Sequence, residues 1–243
     1  MTSRTALITG AANRIGAAIA RDLHESGMDV VVHYNQSKPA AEKLVNELNA
    51  ERSDSASLVS GDLLVADNYQ RIIEQAYNYK HRLDVLVNNA SSFYPTPFAE
   101  ATLAQWQELI GVNMQAPLFL SQQAADYLAA SNGCIINLTD IHAQRPMKNH
   151  ALYSTAKAGL VMLTKAMAKE LGPQIRVNAL SLGAMLWPQD MDQQKHEEIL
   201  AKTILNRQGE MQDVTKALRF LIDDADYMTG QILTIDGGRT LYS

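Results

Sequence analysis

Tyr153 and Lys157 stand four residues apart in the run Tyr153-Ser154-Thr155-Ala156-Lys157. On a helix that spacing puts a phenol and an ammonium on one face. A phenol with a pKa near ~10 exchanges protons poorly at neutral pH. A cation beside it favours the phenolate and lowers that pKa, which makes the pair a candidate acid–base centre. The plainer reading is a surface Tyr and Lys. Against it, this helix follows a strand-like run at 134–138, whose C-terminal end should line a crevice.

A second group of residues handles charge. Thr9-Gly10-Ala11-Ala12-Asn13-Arg14-Ile15-Gly16 joins an apolar run to a helix-period segment. Small residues let such a turn approach a pyrophosphate, and the helix N-terminus offers unpaired N–H groups and a positive dipole end. Gly10, Ile15 and Gly16 are therefore candidate dinucleotide contacts. Arg14 replaces the middle glycine of such turns, as a cation beside a diphosphate or an anionic substrate group. The plain alternative for Arg14 is a solvated helix-start residue.

The cofactor type follows from the end of the second strand-like run, where a carboxylate would grip a ribose 2′-hydroxyl. The residues there are His33-Tyr34-Asn35-Gln36-Ser37-Lys38, with no acid. Ser37, Asn35 and Lys38 could hydrogen-bond a 2′-phosphate, so NADP(H) is expected over NAD(H); no metal is expected.

The elements that must position these groups are legible as an alternation. Short apolar, β-branched runs are predicted as strands at 5–9, 30–34, 56–60, 84–88, 134–138, 176–180 and 232–235. Helix-period segments fall at 15–26, 39–52, 69–79, 103–130 and 153–171. Strands that are apolar without alternation are buried on both faces, as between two helix layers. The fold class is thus α/β: one doubly wound Rossmann-type domain over residues 1–243, with a seven-stranded, mostly parallel sheet. No linker, repeat or low-complexity stretch divides the chain. The polar segment at about 184–212 is predicted to be a flap over the crevice.

With 47% hydrophobic residues the chain can bury a substantial core, and its net charge of −5 gives no electrostatic reason to expect nucleic acid or an anionic membrane. One cysteine, Cys134, suits a reducing compartment, and neither a signal peptide nor a membrane-spanning run is apparent, so a cytoplasmic location is expected.

In order and spacing, these features resemble the short-chain dehydrogenase/reductase family over essentially the whole chain. The residues carrying the resemblance are the Thr9–Gly16 turn, Asp62, Asn88-Asn89-Ala90, Asn113, Tyr153 with Lys157, and Asp236-Gly237-Gly238. The resemblance implies adenine contacts at Asp62 and Leu63 and cofactor contacts at Asn89, Ala90 and Gly183. It further implies a water held by Asn113 in a proton relay through Lys157 to Tyr153, and a homotetramer with the long helices at its interfaces.

One departure is informative. The family's pattern at the end of the fifth strand is Asn-x-Ser-Ser, whereas this chain has Asn137-Leu138-Thr139-Asp140. A serine hydroxyl suits a ketone oxygen. A carboxylate repels a developing alkoxide and suits a substrate with N–H donors, or one that needs a proton at nitrogen. The plain alternative is that Thr139 replaces the serine and Asp140 caps a loop. In the Asn89–Pro97 run, Phe93 could stack on a flat heterocycle; its plain alternative is a loop aromatic packed on the sheet edge.

Together these features are similar to the pteridine reductase branch of that family. That resemblance places His33 and Tyr34 by the cofactor, Ser91 and Arg14 at substrate and cofactor phosphate, and a pterin under Phe93. Tyr153 and Asp140 would share proton delivery. Gln36, where an arginine would grip the 2′-phosphate, and Leu182, where proline precedes Gly183, depart from the branch. The expected activity is NADPH-dependent reduction of a dihydropterin or dihydrofolate to the tetrahydro form. The alternatives are a carbonyl reductase acting on a ketone, sugar or acyl-carrier thioester, and a dinucleotide-binding regulatory protein without catalysis.

Overall fold

A computed structural model describes residues 3–185 and 193–242. The strands are β1 (Thr5–Ile8), β2 (Asp29–Tyr34), β3 (Ala56–Ser60), β4 (Val85–Asn88), β5 (Cys134–Asp140), β6 (Arg176–Leu182) and β7 (Ile232–Ile235). They form one sheet in the order β3-β2-β1-β4-β5-β6-β7, and every pairing is parallel.

Successive strand residues point into different cores. Ala6, Ile8, Val30, Val32 and Val87 pack with α1 (Arg14–Glu25), α2 (Lys38–Glu51) and α8 (Met211–Arg219). Leu7, Val31, Leu86, Ile135 and Val177 face α3 (Asp67–Lys80), α5 (Ala116–Ala130) and α6 (Ala151–Leu171). Both sheet faces are thus covered, which is why the strands read as unbroken apolar runs. The strand order reverses at β1, which pairs with both β2 and β4. Beyond these strands the chain runs to helices on opposite faces, α1 and α5, which places a crevice at the C-terminal edge of the sheet.

Three differences from the sequence expectation have physical causes. β5 and β6 run two residues further than predicted because they pair with each other to their ends, Thr139 with Ser181 and Asp140 with Leu182. The helical stretch at 103–130 divides into α4 (Leu103–Ile110), a wider π turn at Gly111–Gln115, and α5. Gly111 permits the close packing of that turn, since a Cβ there would lie 2.5 Å from the Leu64 side chain. Two helices were not assigned from sequence: α7 (Gln193–Ala201), inside the expected flap, and α8, whose Val214 and Leu218 complete the first core. Within the flap, residues 186–192 lie outside the described residues. Its flanks are tied down: Gly209 N–H donates to Ala184 O at 3.2 Å and Gln208 Nε2 to Met185 O at 2.8 Å.

Candidate active site

The turn after β1 is held by groups that demand small residues. Gly10 has φ +60°, and a Cβ on it would stand 2.9 Å from Ala90 Cα. A Cβ on Gly16 would meet Asn89 Nδ2 and Gly10 O, each at 2.6 Å. The Asn89 amide donates to Thr9 O at 2.7 Å and to Gly10 O at 3.1 Å, while Thr9 Oγ1 accepts the N–H groups of Asn89 and Ala90 at 3.0 Å. The loops after β1 and β4 are thereby locked together. Asn13 precedes α1 without a side-chain cap, so the first N–H groups of that helix, at Arg14, Ile15 and Gly16, keep their unpaired donors. A tight turn that only glycine allows at two positions, beside an uncapped helix start, fits a dinucleotide diphosphate. Arg14 adopts φ +55° and is exposed.

His33 takes a different position from the one expected. It is 1% exposed, and its ring spans the sheet: Nδ1 accepts Gly10 N–H at 3.1 Å, and Nε2 lies 3.0 Å from Gly61 O, which can only accept. The ring is therefore the neutral Nε2–H tautomer, and burial pushes its pKa down to about 4. His33 supports the turn from beneath and does not line the crevice. Tyr34 is half-buried at the end of β2, and Asn35 and Ser37 are exposed beyond it. Ser37 precedes α2 but makes no side-chain cap, which leaves its hydroxyl for an outside acceptor at a helix N-terminus. Lys38 lies 3.6 Å from Glu42. Asp62 is half-buried, whereas the Leu63 side chain is buried. Gly183 meets a local demand, since a Cβ there would stand 2.7 Å from Asp236 Cα.

Asp140 is the last residue of β5 and Tyr153 lies in the first turn of α6, one turn before Lys157. The Tyr153 hydroxyl donates to Asp140 Oδ2 at 3.0 Å. Asp140 Oδ1 accepts His142 N–H at 2.8 Å, so the carboxylate both caps the following turn and holds the phenol. The Thr139 hydroxyl is turned away, donating to Lys157 O at 3.3 Å, so it does not replace the family's serine in the crevice. Lys157 is buried, with Nζ donating to Leu138 O at 2.9 Å and lying 5.7 Å from the Tyr153 ring centre.

The electrostatics reverse one expectation. Burial, and then the Asp140 carboxylate, push the Tyr153 phenol well above its ordinary value; the nearby Ser91 hydroxyl acts more weakly in the opposite sense. Within the protein alone the phenol is thus held protonated, and Lys157 does not make it a phenolate. Burial pushes the Lys157 ammonium down to about 8, against the pull of Asp140.

Asn113 sits on the π turn, fully buried. Its Nδ2 donates to Ser92 O and Leu109 O, both at 2.9 Å, and its Oδ1 accepts the Ser91 hydroxyl at 2.6 Å. Both amide donors are used, so a water on this side chain could only donate to Oδ1. Asn113 thereby fixes the Ser91 hydroxyl at the edge of the site.

Phe93 is half-exposed and lies edge-on to Tyr153, with ring centres 4.8 Å apart at 76°. The structure therefore gathers Ser91, Phe93, Asp140, Tyr153 and Lys157 at one place. It adds a residue that had no role in the sequence reading: His150 stacks on Phe93 at 4.8 Å and 16°. The available signal was its place at the helix start, three residues before Tyr153.

A family profile described as enoyl-(acyl carrier protein) reductase matches residues 10–240. The chain is 34% identical over 281 residues to Pteridine reductase 1 of Leishmania tarentolae, covering 99% of this chain and 97% of the relative. It is 36% identical over 248 residues to 3-oxoacyl-[acyl-carrier-protein] reductase of Synechocystis sp., covering 100% and 99%. Glucose 1-dehydrogenase 2 of Bacillus subtilis is 31% identical over 251 residues, covering 100% and 96%.

Proposed function

Because the chain belongs to the short-chain dehydrogenase/reductase family, we propose that it is an NADPH-dependent reductase of a dihydropterin, or of a related pteridine such as dihydrofolate, forming the tetrahydro product. The observation that carries this reading is the Asp140–Tyr153 hydrogen bond, a carboxylate where the family's pattern has a serine. A carbonyl substrate builds negative charge on oxygen beside that position, and a carboxylate opposes it. A pteridine instead offers N–H donors to a carboxylate and takes its proton at nitrogen.

The tight glycine turn at Gly10 and Gly16 and the uncapped starts of α1 and α2 fit NADPH, with Ser37 and Asn35 toward the 2′-phosphate. When bound, NADPH supplies the hydride that reduces the ring C=N bond. Tyr153, held protonated, delivers the proton to the adjacent ring nitrogen. Asp140, half-buried at the strand end, links that phenol to solvent and orients the ring through its N–H groups. Phe93 offers the exposed part of its ring to the flat heterocycle. Lys157 presents its ammonium to the cofactor ribose and keeps a positive charge beneath the site.

The similarity to a 3-oxoacyl-[acyl-carrier-protein] reductase at 36% identity favours a second reading, a carbonyl reductase on the same frame. Consumption of NADPH, followed by nicotinamide absorbance with a dihydropterin, dihydrofolate and a panel of ketones and 3-oxoacyl thioesters, separates the two. Selective turnover of the dihydropterin supports the first reading, and turnover confined to carbonyls replaces it with the second.

The resemblance also leads us to expect a homotetramer using α5 and α6, which expose Phe119 and Met162; sedimentation measures it. A cytoplasmic location rests on the single, buried Cys134; among the described residues no helix is long and apolar enough to cross a membrane.

A further inference from the structure

We infer that His150 is a positioning residue for the substrate, acting by clamping the Phe93 ring. The inference rests on the proposed role of Phe93 as a platform for a flat substrate. Phe93 lies in the irregular loop after β4, half-exposed, and its backbone is held by no regular element. Two rings meet it among the described residues: Tyr153 at 76° and His150 in a near-parallel stack at 16°, both with centres 4.8 Å away. Tyr153 is already committed to Asp140. The face-to-face contact that sets the Phe93 plane is therefore the one with His150.

His150 is built to hold still. It is 9% exposed and immediately precedes α6, yet its side chain does not cap that helix. Nδ1 instead lies 2.9 Å from Lys148 O, which can only accept, so Nδ1 carries the proton and the bond fixes the ring. The backbone beneath is stitched as well: Thr96 N–H donates to Asn149 O at 2.6 Å, and Thr96 bridges to His150. The loop after β4, which carries Phe93, is thus joined to the loop leading from Asp140 to Tyr153. The Phe93–His150 stack lies across that join, so the platform and the proton donor share one frame. A ring held this way has lost its rotational freedom before substrate arrives, which lowers the ordering cost of binding.

The test compares His150→Ala, His150→Asn and His150→Phe. Asn keeps an N–H donor without a ring, and Phe keeps a ring without the donor. Loss of the stack in the Ala and Asn variants should raise KM for the dihydropterin roughly 3- to 10-fold, with kcat and NADPH affinity within about two-fold. His150→Phe should restore KM. An unchanged KM in His150→Ala, a loss confined to kcat, or a Phe variant as impaired as the Ala variant would each overturn the inference.

A second readout needs no turnover. The chain has four phenylalanines, so fluorine NMR of fluorophenylalanine-labelled protein resolves Phe93, assigned by its loss in Phe93→Leu. The Phe93 signal should move in His150→Asn, whereas in His150→Phe, which adds a fifth signal, one resonance should stay near its place. A Phe93 signal that ignores the Asn variant overturns the clamp. If the wild-type protein reduces no pterin, the proposed reaction fails, and the spectrum still decides whether His150 holds Phe93.

Discussion

Asp140 and Tyr153 are joined at 3.0 Å across the gap between the end of β5 and the first turn of α6, and the other oxygen of the same carboxylate accepts His142 N–H at 2.8 Å. One side chain therefore caps a turn and holds the phenol at once, and a substitution can separate the two. Serine is a competent capping residue, so Asp140→Ser retains an acceptor for His142 while removing the charge and the reach to Tyr153.

We predict that Asp140→Ser lowers kcat for a dihydropterin by about 10²-fold, in the range of lost proton-transfer catalysis, with NADPH affinity within about two-fold. Steady-state kinetics and cofactor titration measure both. Normal pterin reduction by Asp140→Ser would leave the carboxylate as a cap alone.

Lys157 should set an upper pH limit for the proposed reaction. Its ammonium titrates at about 8 in the folded chain against an ordinary 10.5. Dihydropterin kcat/KM, which reports the free enzyme, should fall above pH ~8, and Lys157→Met should lack that limb. The same shift bears on stability. Between pH 8 and 10.5 the unfolded chain keeps a proton that the folded chain has lost, so this contribution to stability rises with pH. At neutral pH the buried charge costs on the order of 3 kcal/mol. Lys157→Met should therefore be more stable at pH 7 despite losing the bond to Leu138 O, and its advantage should shrink by pH 9.5. The raised Tyr153 pKa acts the other way only above pH ~10, where the unfolded phenol ionises. Urea unfolding at the two pH values measures the difference.

The strands and the α6 pair were legible in sequence for a shared reason: a two-sided core demands apolar runs and a long helix demands its period. Residues 56–60 and 232–235 were predicted with their observed bounds, and Tyr153 and Lys157 fall on one helix as the spacing required. What was not legible depends on contacts between distant segments. That the His33 ring turns inward to Gly10 and Gly61 follows from the β1–β2–β3 packing, and nothing in the residues around it signals this. The sequence displayed the cation four residues from Tyr153, yet burial of the phenol, with the Asp140 carboxylate second, sets the direction of its pKa. His150 meets Phe93 across two loops distant in sequence, which the Thr96–Asn149 hydrogen bond joins.

His33 should make the phosphate turn acid-sensitive. Its folded pKa, about 4, lies below the ordinary 6.5, so between those values the unfolded chain binds a proton that the folded chain refuses. Stability is lost as pH falls through that window, by up to about 3 kcal/mol. His33→Gln removes the titration, whatever its own cost. Plots of unfolding free energy against pH should converge from pH 6.5 to 4 as the wild type loses ground. Parallel plots would sink this account.

The cofactor preference should be adjustable at two exposed positions. An acid in place of Ser37, whose hydroxyl caps nothing, would repel a 2′-phosphate, and Gln36→Arg would add a bidentate cation. We expect Ser37→Asp to cut the NADPH-over-NADH ratio in kcat/KM by about 10- to 100-fold, and Gln36→Arg to raise it by about 10-fold. A ratio unmoved by both would place the 2′-phosphate elsewhere.

Arg14 offers a test of whether a strained residue is kept for binding. Its φ of +55° costs about 1–2 kcal/mol for a side chain bearing a Cβ, and Gly removes that cost. Gly also gives the unfolded chain about 0.4–1 kcal/mol of extra entropy, so the two effects largely cancel. Arg14→Gly should therefore sit within about 1 kcal/mol of wild type in urea unfolding. Arg14→Ala, which keeps the Cβ and hence the strain, should be less stable than Arg14→Gly. Both variants should weaken NADPH or raise KM for the dihydropterin by about 10-fold or more, the worth of one charge-assisted hydrogen bond. Equal stability of the Ala and Gly variants would show that the backbone carries no strain there. Unchanged binding in both would return Arg14 to the role of a solvated helix-start residue.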